Sequence, residues 1–367
     1  MTTTDSLRGP VTLDSLHEHA QAVLVASGVA ASHADLVSAS LVDAEARGIG
    51  SHGLTRLRIY SERVRRGLAE GAVEPQVTRT RSGVIDVDAL NALGQVGAGV
   101  AVDAAMEVAR EAGIALAGVR NSNHCGTLAF FTRRIAEAGL VAIAMSTAPP
   151  TMVYFGGRTP AVGTNPFSIA VPRAGAAPLV IDMATSATAR GKIIVAEQTG
   201  TPIPGDWALD SEGRPTSDPA AALAGSMVPF AGPKGSGLAM MIDLICGGLI
   251  ASATGFSIGN MYEEWDRPQR VGHAFIVLDP GACPGGAGYG RTVAEFAAEL
   301  AALPPAEGHS AVLAPGTLED AALARARANG LEVPPAVLAD LLNLAEEVGA
   351  TTSLLTETRG GAPWLSN

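Results

Sequence analysis

Along the first 70 residues, apolar positions recur every three or four places. Leu13, Leu16, Ala20, Val23 and Leu24 form one such stripe, and Gly28 supplies a stop. A second stripe carries Leu36, Val37, Leu41 and Val42, with Ser32 expected as its cap. A third helix is expected to start at Ser51, run to about Arg66 and close on Gly67. From Thr78 the texture changes. VIDVDA, IALAGV, LVAIAMS, PFSIAV, PLVIDMA and HAFIVLD are short apolar or β-branched runs bounded by Gly, Pro and Asn, which predicts strands. Helical stretches intervene at about 97–112, 127–138 and 236–250. After Arg291 helical periodicity returns in VAEFAAELAAL, LEDAALARARA and PAVLADLLNLAEEV. The pattern predicts an α/β protein of the α+β kind, with helices from both termini around a central sheet. It lacks the regular βαβ alternation of a doubly wound dinucleotide fold. GACPGGAGYG reads as a loop.

Length and charge narrow this picture. A chain of 367 residues exceeds one typical core, so two packed subdomains are expected. We place a helical domain at 1–77 with 291–367 and an α+β domain at 78–290. Hydrophobic residues at 47% against charged residues at 17% exclude a disordered chain. With 43 glycines and 4% aromatics, the core must be built from small aliphatic side chains and tight turns. A formal charge of −11 argues against nucleic acid or an anionic membrane as partner. An anionic ligand must then be held locally, by a few cations or by helix N-termini. Cys125, Cys246 and Cys283 include no CxxC pair, which suggests neither a disulfide framework nor structural zinc and fits a reducing compartment. The N-terminal MTTTDSLRGP lacks a signal pattern, and Asp243 interrupts the longest apolar stretch, 238–250, so a core helix and a cytoplasmic location are expected.

Four segments carry candidate chemistry. In 46–67, a helix starting at Ser51 would align His52, Arg56 and Tyr60 at i, i+4 and i+8. Arg can clamp a small carboxylate through two parallel N–H bonds, and His can exchange a hydroxyl proton. The same spacing also describes a solvated face. In 118–134, a strand, a polar loop and a helix opening near Thr127 place His124 where backbone N–H groups favour negative charge; the alternative is a loop His satisfying its own turn. Cys125 beside it lacks a visible cationic partner, so a nucleophilic role is not assigned. In 178–192, a strand runs into Asp182, and Thr185 and Ser186 are expected to cap a helix beneath it, forming a pyrophosphate cradle with Arg190 and Lys192. Asp182 either orients a catalytic His or stabilises the turn. In the fourth, Trp207 and Asp210 lie in a Pro- and Gly-rich loop, and Lys234-Gly235-Ser236-Gly237 precedes an apolar helix, which repeats the anion-site logic. A tight loop beneath a core helix explains this last segment equally well.

Other patterns are decoys. GQVGAG is not in the G-x-G-x-x-G order of a Rossmann turn, and no Walker or HExxH pattern is present. The seven histidines show no ligand spacing, so no metal is expected.

Taken in order, RGIGSHGLTRLRIY, NALGQVGAG, RNSNHCG, GTNPFSIAVP, DMATSATARGKI, WALDSEGRPTSDP, GPKGSGLAMMIDL and VLAPGTLEDAALARARANGL resemble the malate/L-lactate dehydrogenase family of the non-Rossmann type. Its members include sulfolactate and ureidoglycolate dehydrogenases and Δ1-piperideine-2-carboxylate reductase. The resemblance covers nearly the whole chain. It implies a non-Rossmann dinucleotide-binding domain with a largely antiparallel sheet, a helical domain from both termini, and a homodimer. It implies NAD or NADP as cofactor and a small 2-hydroxy or 2-oxo acid as substrate, with a cyclic 2-imino acid as alternative. Carried over by motif, His52 and His124 are the proton-transfer candidates, with Asp182. Arg47, Ser51, Arg56 and Tyr60 fall on the substrate side. Asn165, Pro166, Asp182, Met183, Ala184, Thr185, Ser186, Ala187, Thr188, Lys234, Gly235, Pro315 and Gly316 fall on the cofactor side. The chain departs from the family pattern at Thr147, Thr317, Ala231 and Asp206. Thr147 and Thr317 motivate a further alternative, a redox-silent member acting as a cyclase or binding protein.

Overall fold

The structure, a computed structural model, describes residues 9–352 and 354. Its helices are α1 (Leu13–Ala26), α2 (Ala31–Ala46), α3 (Leu57–Arg65), α4 (Gly94–Ala112), α5 (Leu128–Glu137) and α6 (Arg190–Thr199). They continue with α7 (Pro219–Ala224), α8 (Pro233–Asp243), α9 (Tyr289–Ala301), α10 (Thr317–Asn329) and α11 (Pro335–Val348). The strands are β1 (Gln76–Arg81), β2 (Val84–Asp88), β3 (Ile114–Ser122), β4 (Val141–Ser146), β5 (Met152–Val153) and β6 (Pro160–Val162). After them come β7 (Phe167–Val171), β8 (Leu179–Met183), β9 (Ala208–Leu209), β10 (Ser226–Met227) and β11 (Val271–Leu278).

The large sheet has the order β1-β2-β3-β11-β4-β7-β8, and every neighbouring pair is antiparallel except β2 with β3. A second sheet, β6-β5-β10-β9, stands apart from it. Alternation along the central strands buries Ala115, Ala117, Val119, Ala142, Ala144, Phe275 and Val277 in one cluster with apolar residues of α4 and α5. These small side chains let the helices approach closely, and Phe131 meets Phe275 edge-on at 5.8 Å.

A separate apolar cluster unites the two ends of the chain. Leu16, Leu24, Val37, Leu41 and Leu57 pack with Leu323, Leu338, Leu341 and Leu344. A β-bridge from Val11 to Leu331 ties the same region.

Two N-terminal expectations need correction. Ala30, not Ser32, is the cap residue of α2, because its extended backbone hands the chain into the helix without a side-chain bond. The third helix does not start at Ser51. Two 3₁₀ turns, Gly50–His52 and Leu54–Arg56, precede α3. The Glu45 carboxylate accepts the Leu54 N–H at 2.9 Å and fills the space a Cβ on Gly53 would need, 2.1 Å away. That contact takes one of the amides that a continuous helix would have used internally.

Candidate active site

The two 3₁₀ turns and the start of α3 deliver His52, Arg56 and Tyr60 to one place, although not along a single helical face. His124 meets them from the loop between β3 and α5. Its ring centroid lies 5.5 Å from that of His52, and its Nδ1 is 2.6 Å from the Tyr60 hydroxyl. The Gly126 amide donates to the same Nδ1 at 3.3 Å, and Gln269 Oε1 accepts the His124 backbone N–H at 3.1 Å. Arg56 Nε donates to the Ser51 carbonyl at 2.7 Å, and its guanidinium lies 5.4 Å from the centroid of the Tyr262 ring. Ser51 Oγ is 3.0 Å from His52 Nδ1. The loop holding His124 rests directly on the start of α4: a Cβ at Gly94 would stand 2.2 Å from the Asn123 oxygen and 2.4 Å from that of His124. Only glycine permits that approach.

Burial, and then the Arg56 charge, push His52 down to about 4. Burial, then Arg56, His52 and His273, hold His124 well below its ordinary value. Burial raises the Tyr60 phenol. At neutral pH the pocket therefore offers two neutral imidazoles and a phenol beside one guanidinium, a set suited to a small anion with an exchangeable proton.

Behind the pocket is a cluster that the sequence reading missed. His273 of β11 is fully buried, with Nδ1 2.8 Å from Ser146 Oγ and Nε2 3.0 Å from Ser122 Oγ. Cys125 Sγ lies 3.7 Å from its Nδ1. Burial, with Asp182 nearby, pushes the Cys125 thiol up to about 12, so it is no nucleophile. The signal available for His273 was a lone polar residue inside an apolar strand run, GHAFIV.

Asp182, at the end of β8, accepts the Ala129 N–H at 2.7 Å and so caps the start of α5; its partner is a helix, not an imidazole. Burial raises its pKa to about 6, against the lowering by these backbone bonds. Met183 pairs with Phe167 where β7 and β8 end, and Ala184 leads into the turn. Thr185 and Ser186 do not cap the next helix: α6 opens only at Arg190, with Ala189 as its cap residue. Ser186 Oγ donates instead to the Thr188 carbonyl at 2.7 Å. Thr185 Oγ1 is buried and, among the described residues, has no hydrogen-bond partner.

This turn is zipped to the segment before α8, through Ala187 N–H to Val228 O at 2.8 Å and Phe230 N–H to Thr185 O at 3.0 Å. Lys234 is exposed in the first turn of α8, and Gly235 sits where a Cβ would lie 2.2 Å from the Phe230 oxygen. Ala231 just before it has φ +46, a strained value for a residue with a Cβ. At the start of α6, a Cβ on Gly191 would be 3.3 Å from Ser51 Cβ, so the helix that follows the turn lies against the Ser51–His52 segment. Pro315 O accepts the Val180 N–H at 3.4 Å, which sets Gly316 (φ +87) and the start of α10 against β8. An unpartnered hydroxyl, a helix start and a lysine around one turn fit the pyrophosphate of a dinucleotide.

Four more of the residues singled out, Arg47, Asn165, Pro166 and Thr147, make contacts that tie elements together. Arg47 is bound by Asp43 at 2.9 Å and by Asp320 at 2.8 Å, and Arg133 shares Asp320 at 2.9 Å. It links α2, α5 and α10 as a buried ion cluster. Asn165 accepts the Ala148 N–H and donates to the Ala239 carbonyl, both at 2.8 Å, and so holds a loop to α8; Pro166 beside it accepts the Ser146 N–H at 3.2 Å. Thr147 Oγ1 accepts the Gly272 N–H at 3.0 Å, a clasp between β4 and β11. A cavity of about 510 Å³, lined partly by Glu137, Arg173, Asp279 and Tyr289, shares no residue with this pocket. Among the described residues no group of three or more His, Cys, Asp or Glu could hold a metal ion.

The large sheet is mostly antiparallel and so is not the parallel sheet of a Rossmann dehydrogenase. The chain belongs to the malate/L-lactate dehydrogenase family, whose sequence profile matches residues 11–342. It is 40% identical to the (2R)-3-sulfolactate dehydrogenase (NADP(+)) of Chromohalobacter salexigens, over 88% of this chain and 94% of that one. It is 37% identical to a Delta(1)-pyrroline-2-carboxylate reductase of Ancylobacter novellus, over 90% and 96% respectively. Its fold matches the crystal structure of a dehydrogenase from Sinorhizobium meliloti with a TM-score of 0.85 and 35% identity, covering 91% of this chain and 97% of that one.

Proposed function

We propose that the chain is an NAD(P)-dependent oxidoreductase that moves a hydride between the nicotinamide and C2 of a small 2-hydroxy or 2-oxo acid. The observation that carries this is the meeting of His52, His124 and Arg56 in one pocket, with the start of α6, just after the 182–188 turn, packed against its Ser51 edge. The bound nicotinamide supplies or accepts the hydride. Arg56 holds the substrate carboxylate, and an imidazole exchanges the proton of the reacting oxygen, which typically contributes ~10²–10⁴-fold in rate. Thr185, Lys234 and Gly235 line the cofactor side within the 78–290 domain, and Gly316 joins them from the 291–367 segment. The helices of 1–77 and 291–367 close the substrate side, and two copies form the working enzyme in the cytoplasm. Among the described residues no helix is long and apolar enough to cross a membrane. Reduction of a cyclic 2-imino acid is the second reading, favoured by the similarity to the pyrroline carboxylate reductase.

The test is a panel of 2-oxo acids and cyclic imino acids, assayed with NADH and with NADPH. Turnover of one class with His52→Ala strongly slowed, while fluorescence still shows cofactor binding, supports the reading. No binding of either reduced cofactor overturns it in favour of a redox-silent role.

A further inference from the structure

We infer that Tyr60 is a positioning residue: with the Gly126 amide it locks His124 as the Nε2–H tautomer, which makes His124 a hydrogen-bond donor to the reacting atom and leaves proton exchange to His52. This rests on the functional reading above and divides the labour between its two histidines.

The argument starts from a group that has no choice. A backbone N–H can only donate, and that of Gly126 is aimed at His124 Nδ1 at 3.3 Å. Nδ1 must therefore carry its lone pair toward that amide. The Tyr60 oxygen, 2.6 Å from the same nitrogen, then has to be the donor, since a bare ring nitrogen offers no proton. Tyr60 keeps its proton because burial raises the phenol. Its oxygen is left free to accept. A neutral imidazole has one N–H, so in His124 it sits on Nε2.

That nitrogen can polarise a carbonyl or imine by donating to it, but it has no lone pair with which to take a hydroxyl proton. His52 is under no such constraint. Its Nδ1 faces the Ser51 hydroxyl, which rotates to donate or to accept. When Ser51 accepts from Nδ1–H, Nε2 of His52 is the base. In the oxidation direction the substrate O–H bond breaks and its proton goes to His52. With an oxidised nicotinamide bound, it would be the acceptor of the C2–H electron pair as the C=O bond is completed. Reduction reverses each transfer.

The experiment uses the full-length chain with ¹⁵N-labelled histidine and long-range ¹H–¹⁵N spectra, with signals assigned by their loss in His124→Gln. The expected result is a single His124 tautomer, protonated on Nε2, from about pH 6 to about pH 9. In Tyr60→Phe, which keeps the ring, the His124 signals should broaden into a tautomer mixture. Its kcat should fall roughly 10- to 100-fold with KM for the acid little changed, as for partners that orient a reacting imidazole. A proton on Nδ1 in the wild-type chain overturns the inference, as does a Tyr60→Phe variant with unchanged tautomer and kcat. The spectra need no turnover. An inactive substrate panel alongside an Nε2–H spectrum therefore counts against the proposed reaction and not against the lock.

Discussion

His273 makes the fold acid-sensitive by an amount that can be worked out. Its imidazole is fully buried between β3 and β4, and burial lowers its pKa from 6.5 to about 4. In the unfolded chain it titrates near the ordinary ~6.5. Because the folded value is the lower one, the stability this group contributes is complete above 6.5 and is lost as pH falls toward 4. At pH 7 both states are nearly neutral there. At about pH 4.5 the unfolded imidazole is almost fully protonated and the folded one only in part, a difference of about 2 kcal/mol in favour of unfolding. His52, also near 4, acts in the same direction. Asp182, raised from 3.8 to about 6, acts in the opposite one, because its folded state holds the proton that the unfolded state releases, so stability falls as pH rises between those values. A comparison of wild type with His273→Gln cancels both. Urea unfolding of the full chain at neutral pH and at about pH 4.5 supplies the four free energies. The variant should be destabilised at pH 7 by about 1–3 kcal/mol for its altered buried hydrogen bonds, and the gap should close by about 2 kcal/mol at the acid pH. A gap that stays constant with pH refutes the reasoning.

The remaining expectations follow from single contacts. Arg56→Lys keeps the charge but loses the planar fork and the bond to Ser51, so KM for the acid should rise about 10- to 100-fold in steady-state assays. In the same assays on wild type, the acid limb of kcat should lie at higher pH than that of kcat/KM, since a bound carboxylate offsets the Arg56 charge that helps depress His52. Ala231→Gly should stabilise the chain by about 1 kcal/mol in urea unfolding by relieving the positive φ. Asp182→Asn should leave stability at neutral pH no lower than wild type, because an amide oxygen can still cap α5 without a buried charge, whereas Asp182→Ala should cost about 1 kcal/mol or more.

Periodicity made the main helices and the buried strands legible, because each has one face in a core. β1 escaped because all six of its residues are exposed, so no apolar alternation marks it and only its edge position and its arginines show its character. Convergence of His52, Arg56 and Tyr60 was anticipated through the wrong geometry: the Glu45 bond to Leu54 that breaks the helix joins residues nine apart through a side chain. Asp182 reaches α5 across fifty-three positions, and Asn165 reaches Ala239 across seventy-four, so neither role has any local signature. His273 was silent for the same reason, since its meaning comes from Ser122 and Ser146 on the two neighbouring strands.

The place of β11 has a consequence for how the chain comes into being. This strand lies between β3 and β4 in the large sheet, yet β4 ends at Ser146 and β11 begins only at Val271. On a ribosome, the two halves of the sheet emerge with facing edges bare and wait on the order of ten seconds for the strand that closes them. Throughout that interval each edge is a template for any extended segment nearby, including that of a neighbouring nascent chain. The edges are covered only once Val271–Leu278 has been made and has cleared the ribosome.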